Sequence, residues 1–229
     1  MALILSIETS TATLSVALAR DGRLLSSRFC EEPRRQASLT APMVQEVLAE
    51  AGLTVKDCDA VCVSKGPGSY TGLRVGVSTA KGLAFGAGLP LIAIGTLDIL
   101  AAGAITAGAV PDNALIIPMI DARRMEVYTA VFSSEGKQIT PVEAKIIGPE
   151  SFQEELSKGP VLFVGDGALK CKEVITHPHA LFQAAYPSAT DMTALAEAAY
   201  REKRFEDLAY FEPYYLKDFI ATVSRKNLF

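Results

Sequence analysis

Residues 65–86 read KGPGSYTGLRVGVSTAKGLAFG, six glycines in a stretch that otherwise favours helix. The strand-like DAVCVS (59–64) runs into Gly66-Pro67-Gly68, which forces a turn before Ser69 or Thr71 can cap a helix over 71–86. Gly72, Gly76, Ala80 and Ala84 fall every fourth residue on one ridge without bulk, with Leu73, Val77 and Leu83 beside it. Each glycine costs a helix roughly 0.8–1 kcal/mol against alanine, so the ridge needs an offsetting gain from close approach. That approach is either to the chain's own sheet or to another chain, and the spacing alone does not separate the two. Phosphate-loop readings fail on pattern: Gly66, Gly68 and Gly72 give G-x-G-x-x-x-G, and Lys81 is followed by Gly82 where a hydroxyl is needed. The free backbone N–H groups of the helix start still suit an anion.

Upstream, LILSIE (3–8), ATLSVALA (12–19) and RLLSSRF (23–29), joined by short turns, read as an antiparallel meander. A helix follows over 38–51, with Ser38 as N-cap and Leu39, Met43, Val44, Val47, Leu48 and Ala51 as its apolar stripe. PLIAIG (90–95) is a further strand, Thr96 can cap a helix over 97–104, and 108–113 reads as a linker.

Beyond that linker the plan repeats. Residues 114–140 follow the pattern of 2–27, with Asp121 in the place of Glu8 and Glu135-Gly136 in the place of Asp21-Gly22. VLFVGDGA (161–168) likewise echoes VCVSKGPG (61–68). A duplicated unit implies an α/β protein of two tandem lobes, 1–108 and 109–229. Helices are expected over 149–159 and 190–205, and the aromatic tail is expected to wrap on the second lobe and fray after Leu216.

A net charge of −4 and the absence of tryptophan argue against an independent grip on nucleic acid. No apolar run approaches the ~20 residues of a membrane span, and Met1 leads straight into a strand, so a cytoplasmic protein is expected. Cys30, Cys58, Cys62 and Cys171 form no paired or zinc pattern and read as reduced thiols. Glu8, Thr9 and Ser10 at the first strand turn, and Asp121 with Arg123 at the second, could contact a nucleotide or anion; the alternative is local turn bonding. His177 and His179 lack a third ligand, Ser69 sits in no nucleophile elbow, and no catalytic set, metal or cofactor is expected.

IETSTATLSVAL (7–18), VSKGPGSYTGLRVGVSTAKGLAFG (63–86), PLIAIGTLD (90–98), DARRMEVYTAVF (121–132) and PYYLK (213–217) together resemble the TsaB family, also called YeaZ. The resemblance implies the duplicated actin, hexokinase and Hsp70-like fold. It implies a non-catalytic scaffold in the machinery that places threonylcarbamoyl on the adenosine beside the anticodon of tRNAs reading codons that begin with A. A TsaD-like transferase paralogue and a TsaE-like ATPase are the partners implied, with tRNA met through the complex, and homodimers also form in the family. The shared partner surface would carry Leu39, Met43, Val47, Gly72, Gly76 and Ala80, which favours the second reading of the glycine ridge. The paralogue's metal-binding histidines fall at Thr96 and Leu100, which cannot ligate iron or zinc as imidazole does. Gln36-Ala37 and Lys217 depart from the family pattern. The alternatives are a nucleotide-binding phosphotransferase acting alone and a glycoprotease-like peptidase using Ser69.

Overall fold

The computed structural model describes residues 2–217. Strands β1 (Leu3–Glu8), β2 (Leu14–Arg20), β3 (Arg23–Cys30), β4 (Ala60–Gly66) and β5 (Leu91–Gly95) form one sheet in the order β3-β2-β1-β4-β5. Strands β6 (Leu115–Asp121), β7 (Glu126–Thr129), β8 (Glu143–Ile146), β9 (Val161–Val164) and β10 (Ala180–Gln183) form a second, ordered β8-β7-β6-β9-β10. In each, three antiparallel strands are followed by two parallel ones. The duplication read in the sequence is therefore a duplication of topology.

Strand β1 is buried along its whole length because its sheet is covered on both faces. Helices α1 (Gln36–Glu50) and α2 (Tyr70–Ala87) cover one face, where Met43, Val47, Val77 and Ala80 meet Leu5, Ile7 and Val63. On the other face, Met192 and the helix α6 (Thr193–Arg201) place Ala196 and Ala199 against Ile4, Cys62 and Ile92. Helix α3 (Thr96–Thr106) leaves the first sheet and sets Leu97, Leu100 and Ala104 against Ile116, Phe132 and Leu162 of the second. Each copy's last helix thus covers the other copy's sheet. Strands β1–β5 precede residue 108 and β6–β10 follow it, while α3 and α6 each pack on the other copy's sheet.

The tail also belongs to the first copy, not the second as expected. Glu206 N–H donates to Leu91 O at 2.8 Å, Tyr214 N–H to Lys65 O at 2.7 Å, and Lys81 Nζ to Phe211 O at 2.9 Å. Leu208 and Phe211 pack on the first core, and Lys217 reaches across to pair with Glu126. The fraying expected after Leu216 falls mostly on 218–229, outside the described residues.

Element edges differ where local chemistry intervenes. The third strand of the second meander, expected within 114–140, is β8 from Glu143; before it the chain makes only an isolated antiparallel bridge between Phe132 and Gln138, and Pro141, with no N–H to donate, lies between the two. Ser38 does not cap α1; its Oγ donates back to Arg35 O at 3.1 Å, and the helix starts at Gln36. Thr96 is likewise inside its helix, with Gly95 as the cap. The helix expected over 149–159 shortens to α4 (Gln153–Lys158), and that over 190–205 to α6. The second copy's counterpart of the 18-residue α2 is a single turn, α5 (Ala168–Cys171).

Candidate functional site

The glycine ridge lies inside the molecule. Ser69 caps α2 by accepting from Gly72 N–H at 3.3 Å, while Ser69 N–H donates to Ser10 O at 2.6 Å and Thr9 Oγ1 donates to Gly72 O at 2.8 Å. A Cβ on Gly68, Gly72 or Gly76 would stand 2.2 Å from Ser10 O, 2.1 Å from Thr9 O and 2.2 Å from Thr9 Oγ1. These three residues are glycine so that the turn and helix can press onto the β1–β2 turn of the same chain. Ala80 and Ala84 continue the contact into the core.

The expected partner surface is corrected accordingly. Met43, Val47, Gly72, Gly76 and Ala80 are buried, and Leu39 is half-buried against the same cluster. None of the five buried residues is free to meet a second chain.

The same packing closes the first of the two expected anion mouths. Glu8, Thr9 and Ser10 are fully buried. Glu8 Oε1 accepts from Ser10 N–H at 2.5 Å, whereas Oε2 has no hydrogen-bond partner among the described residues. Burial pushes the Glu8 carboxyl up from 4.5 to about 7, against smaller opposing effects of Ser10 and Ser64. An acid sealed from solvent cannot hold a phosphate or its metal ion, so this half of the nucleotide-contact expectation is also corrected.

A pH dependence follows. Because the folded carboxyl titrates above its ordinary value, its contribution is fully present below about 4.5 and is lost as pH rises through about 7. Glu8→Gln keeps the acceptor for Ser10 N–H and cannot ionise. At pH 8.5 the variant is expected to exceed the parent in stability by on the order of 3 kcal/mol, and at pH 4.5 to match it. Denaturant unfolding at the two pH values checks this; a difference that does not change with pH contradicts it.

The second mouth stays open. Asp121 and Arg123 line a cleft of about 740 Å³ between the two copies, together with Arg34, Asp166 and the start of α2 at Ser69–Thr71. Lys170 pairs with the Asp121 carboxylate and donates to Arg124 O at 2.8 Å and Glu126 O at 2.7 Å. Asp121 is thereby compensated from within the chain, and Asp166 Oδ1 accepts its N–H at 3.0 Å. Burial holds the Asp166 carboxyl above its ordinary range. The cleft offers Arg34, Arg123 and a helix start to an anion.

Other expected positions are placed as follows. His177 Nδ1 accepts from His179 N–H at 3.2 Å in a loop. Among the described residues no group of three His, Cys, Asp or Glu converges as metal ligands. Leu100 is in the core, and Thr96 is fully buried with a hydroxyl that has no hydrogen-bond partner among the described residues. The four thiols are free. No helix among the described residues is long and apolar enough to cross a membrane.

What lies open is the outer side of the two packed helices. Ala41, Gln45 and Ala49 of α1 and Ser78, Gly82, Phe85 and Gly86 of α2 face solvent. Phe85 is 82% exposed, and a Cβ added at Gly82 or Gly86 would meet nothing within 4 Å. Ser78, Gly82 and Gly86 repeat the four-residue step of the buried ridge, and that spacing was the signal available in the sequence for this second face.

Residues 33–224 match the family described as TsaD, tRNA N6-adenosine threonylcarbamoyltransferase. The chain is 32% identical to the tRNA threonylcarbamoyladenosine biosynthesis protein TsaB of Escherichia coli, over 95% of this chain and 96% of that protein. It is 33% identical to the TsaB of Bacillus subtilis, over 75% of this chain and 74% of that one. Among solved structures, YeaZ from Pseudomonas aeruginosa aligns with a TM-score of 0.82 at 30% identity, over 94% of this chain and all of that chain.

Proposed function

Since the chain belongs to the TsaB family of tRNA threonylcarbamoyladenosine biosynthesis proteins, within the wider family that takes its description from TsaD, we propose that it is the non-catalytic subunit of a threonylcarbamoyl-transferring complex. A part in threonylcarbamoyladenosine biosynthesis comes with the family. The finer reading is that the outer faces of α1 and α2 bind a TsaD-like paralogue in the cytoplasm, that the same face can form homodimers, that a TsaE-like ATPase joins the pair, and that tRNA is met through the assembly.

One observation carries the proposal. Gly82 and Gly86 each cost their helix up to about 1 kcal/mol, and nothing among the described residues comes within 4 Å of a Cβ added at either of them. Beside them, Phe85 leaves a large apolar side chain in water. A helix laid across this face would gain close backbone approach and bury the ring, offsetting both costs. The closed first mouth argues in the same direction, since Glu8 and the turn it supports are occupied in packing.

Transfer assays test the reading. The isolated chain, given a threonylcarbamoyl donor, ATP, magnesium and tRNA, is expected to show neither threonylcarbamoyl transfer nor ATP turnover, and adding a TsaD-like paralogue with a TsaE-like ATPase is expected to produce transfer. ATP turnover or transfer by this chain alone would restore the phosphotransferase or transferase reading.

A further inference from the structure

Away from the outer helix face, a cavity of about 550 Å³ opens where the carboxyl ends of β4 and β5 meet the second copy. Ala93 and Ile94 line it from β5, Val142 from the second copy and Leu195 from α6. Three charged side chains stand around it: Lys65 at the end of β4, Asp98 in the first turn of α3, and Arg204 just beyond α6. Among the described residues, no two of them close an ion pair within 4.0 Å. Arg204 Nε is engaged by Glu202 at 2.6 Å, and Lys65 Nζ has no hydrogen-bond partner there. Burial raises the Asp98 carboxyl above its ordinary value, and the two cations, acting across the cavity, lower it less.

Arg204 is already paired with Glu202 at the surface, so Lys65 and Asp98 are the half-buried charges left without an ion-pair partner among the described residues, an arrangement that is costly unless something bridges them. We propose that this cavity binds a small apolar α-amino acid, its carboxylate between Lys65 and Arg204, its ammonium against Asp98 and its side chain on Ile94, Val142 and Leu195. Charge complementarity selects the class: an anion alone leaves Asp98 without a partner, and an amine alone faces two cations. The volume falls within the range of ordinary small-molecule sites. The tail closes the outer side, with Tyr214 N–H bonded to Lys65 O at 2.7 Å and Tyr214 itself on the cavity wall. No lining residue is shared with the 740 Å³ cleft or with the outer face of α2, so this site is independent of the partner surface.

Calorimetry on the full chain with three probes tests the proposal: L-leucine, isocaproate, which lacks the ammonium, and isoamylamine, which lacks the carboxylate. Leucine is expected to bind at least tenfold more tightly than either. Asp98→Asn should erase its advantage over isocaproate, and Lys65→Met its advantage over isoamylamine. Absence of saturable leucine binding, isocaproate binding as tightly as leucine, or unchanged leucine affinity in Lys65→Met would each overturn it. Lys65→Met removes a side chain that makes no hydrogen bond or ion pair among the described residues, and its melting temperature controls for folding, so it decides the matter should Asp98→Asn fail to fold. Paralogue binding measured on the same variants is expected to be unaffected, which keeps failure here distinct from failure of the scaffold reading.

Discussion

Leucine in place of Gly72 is expected to abolish or severely weaken the fold, not merely an association. The first side-chain atom would stand 2.1 Å from the carbonyl oxygen of Thr9, a backbone atom that cannot swing aside. That carbonyl lies in the β1–β2 turn, where Ser10 O also accepts from Ser69 N–H. Relief would have to lift α2 from the sheet and open contacts made by Leu73, Val77 and Ala80. Overpacking of this kind costs about 1–3 kcal/mol or more, and with backbone on the far side the upper end applies. For a chain of this length, about 3 kcal/mol lowers Tm by on the order of 10 °C. Gly76→Leu meets Thr9 Oγ1 at 2.2 Å and is expected to behave alike, whereas Gly82→Ala, facing open space, should raise stability by up to about 1 kcal/mol. Thermal unfolding followed by circular dichroism checks all three, and a Gly72→Leu protein melting with the parent would contradict the packing described here.

The second large effect is on association. A chain carrying Gly82→Arg and Phe85→Glu is expected to fold normally, since neither position touches the core. Its affinity for a TsaD-like paralogue should fall about 100-fold or more, because an apolar anchor is removed and two long charged side chains enter a packed interface. Isothermal titration compares the two proteins, with the melting temperature as the control for folding. An affinity within about threefold of the parent would place the partner elsewhere.

The repeated strand-turn-strand pattern with its G-x-G echo is enough to read two copies of one α/β plan, because binary pattern and turn chemistry are local properties. The exchange of last helices is not legible in the same way: nothing local to Leu97–Ala104 or Ala196–Ala199 states which sheet each will cover. Nor is the inner side of α2. Gly72, Gly76, Ala80 and Ala84 form one smooth ridge and Ser78, Gly82 and Gly86 another, so spacing alone offers two faces of similar shape. Only the position of Thr9, distant in sequence and adjacent in space, decides between them. Glu8 misleads for the same reason. An acid at the end of a strand looks like a ligand until the chain that covers it is seen. Asp121 and Arg123 do stand at a cleft, and Lys170, which compensates Asp121, comes from a one-turn helix with no pattern of its own.

Hydroxyl-radical footprinting of the chain, alone and in complex with a TsaD-like paralogue, asks directly whether the outer face of α2 is where the partner lies. Phe85, 82% exposed in the isolated chain, is expected to lose most of its reactivity in the complex, while Tyr186 of the second copy, 45% exposed, keeps its own. Phe85 oxidised equally in both states would contradict the account.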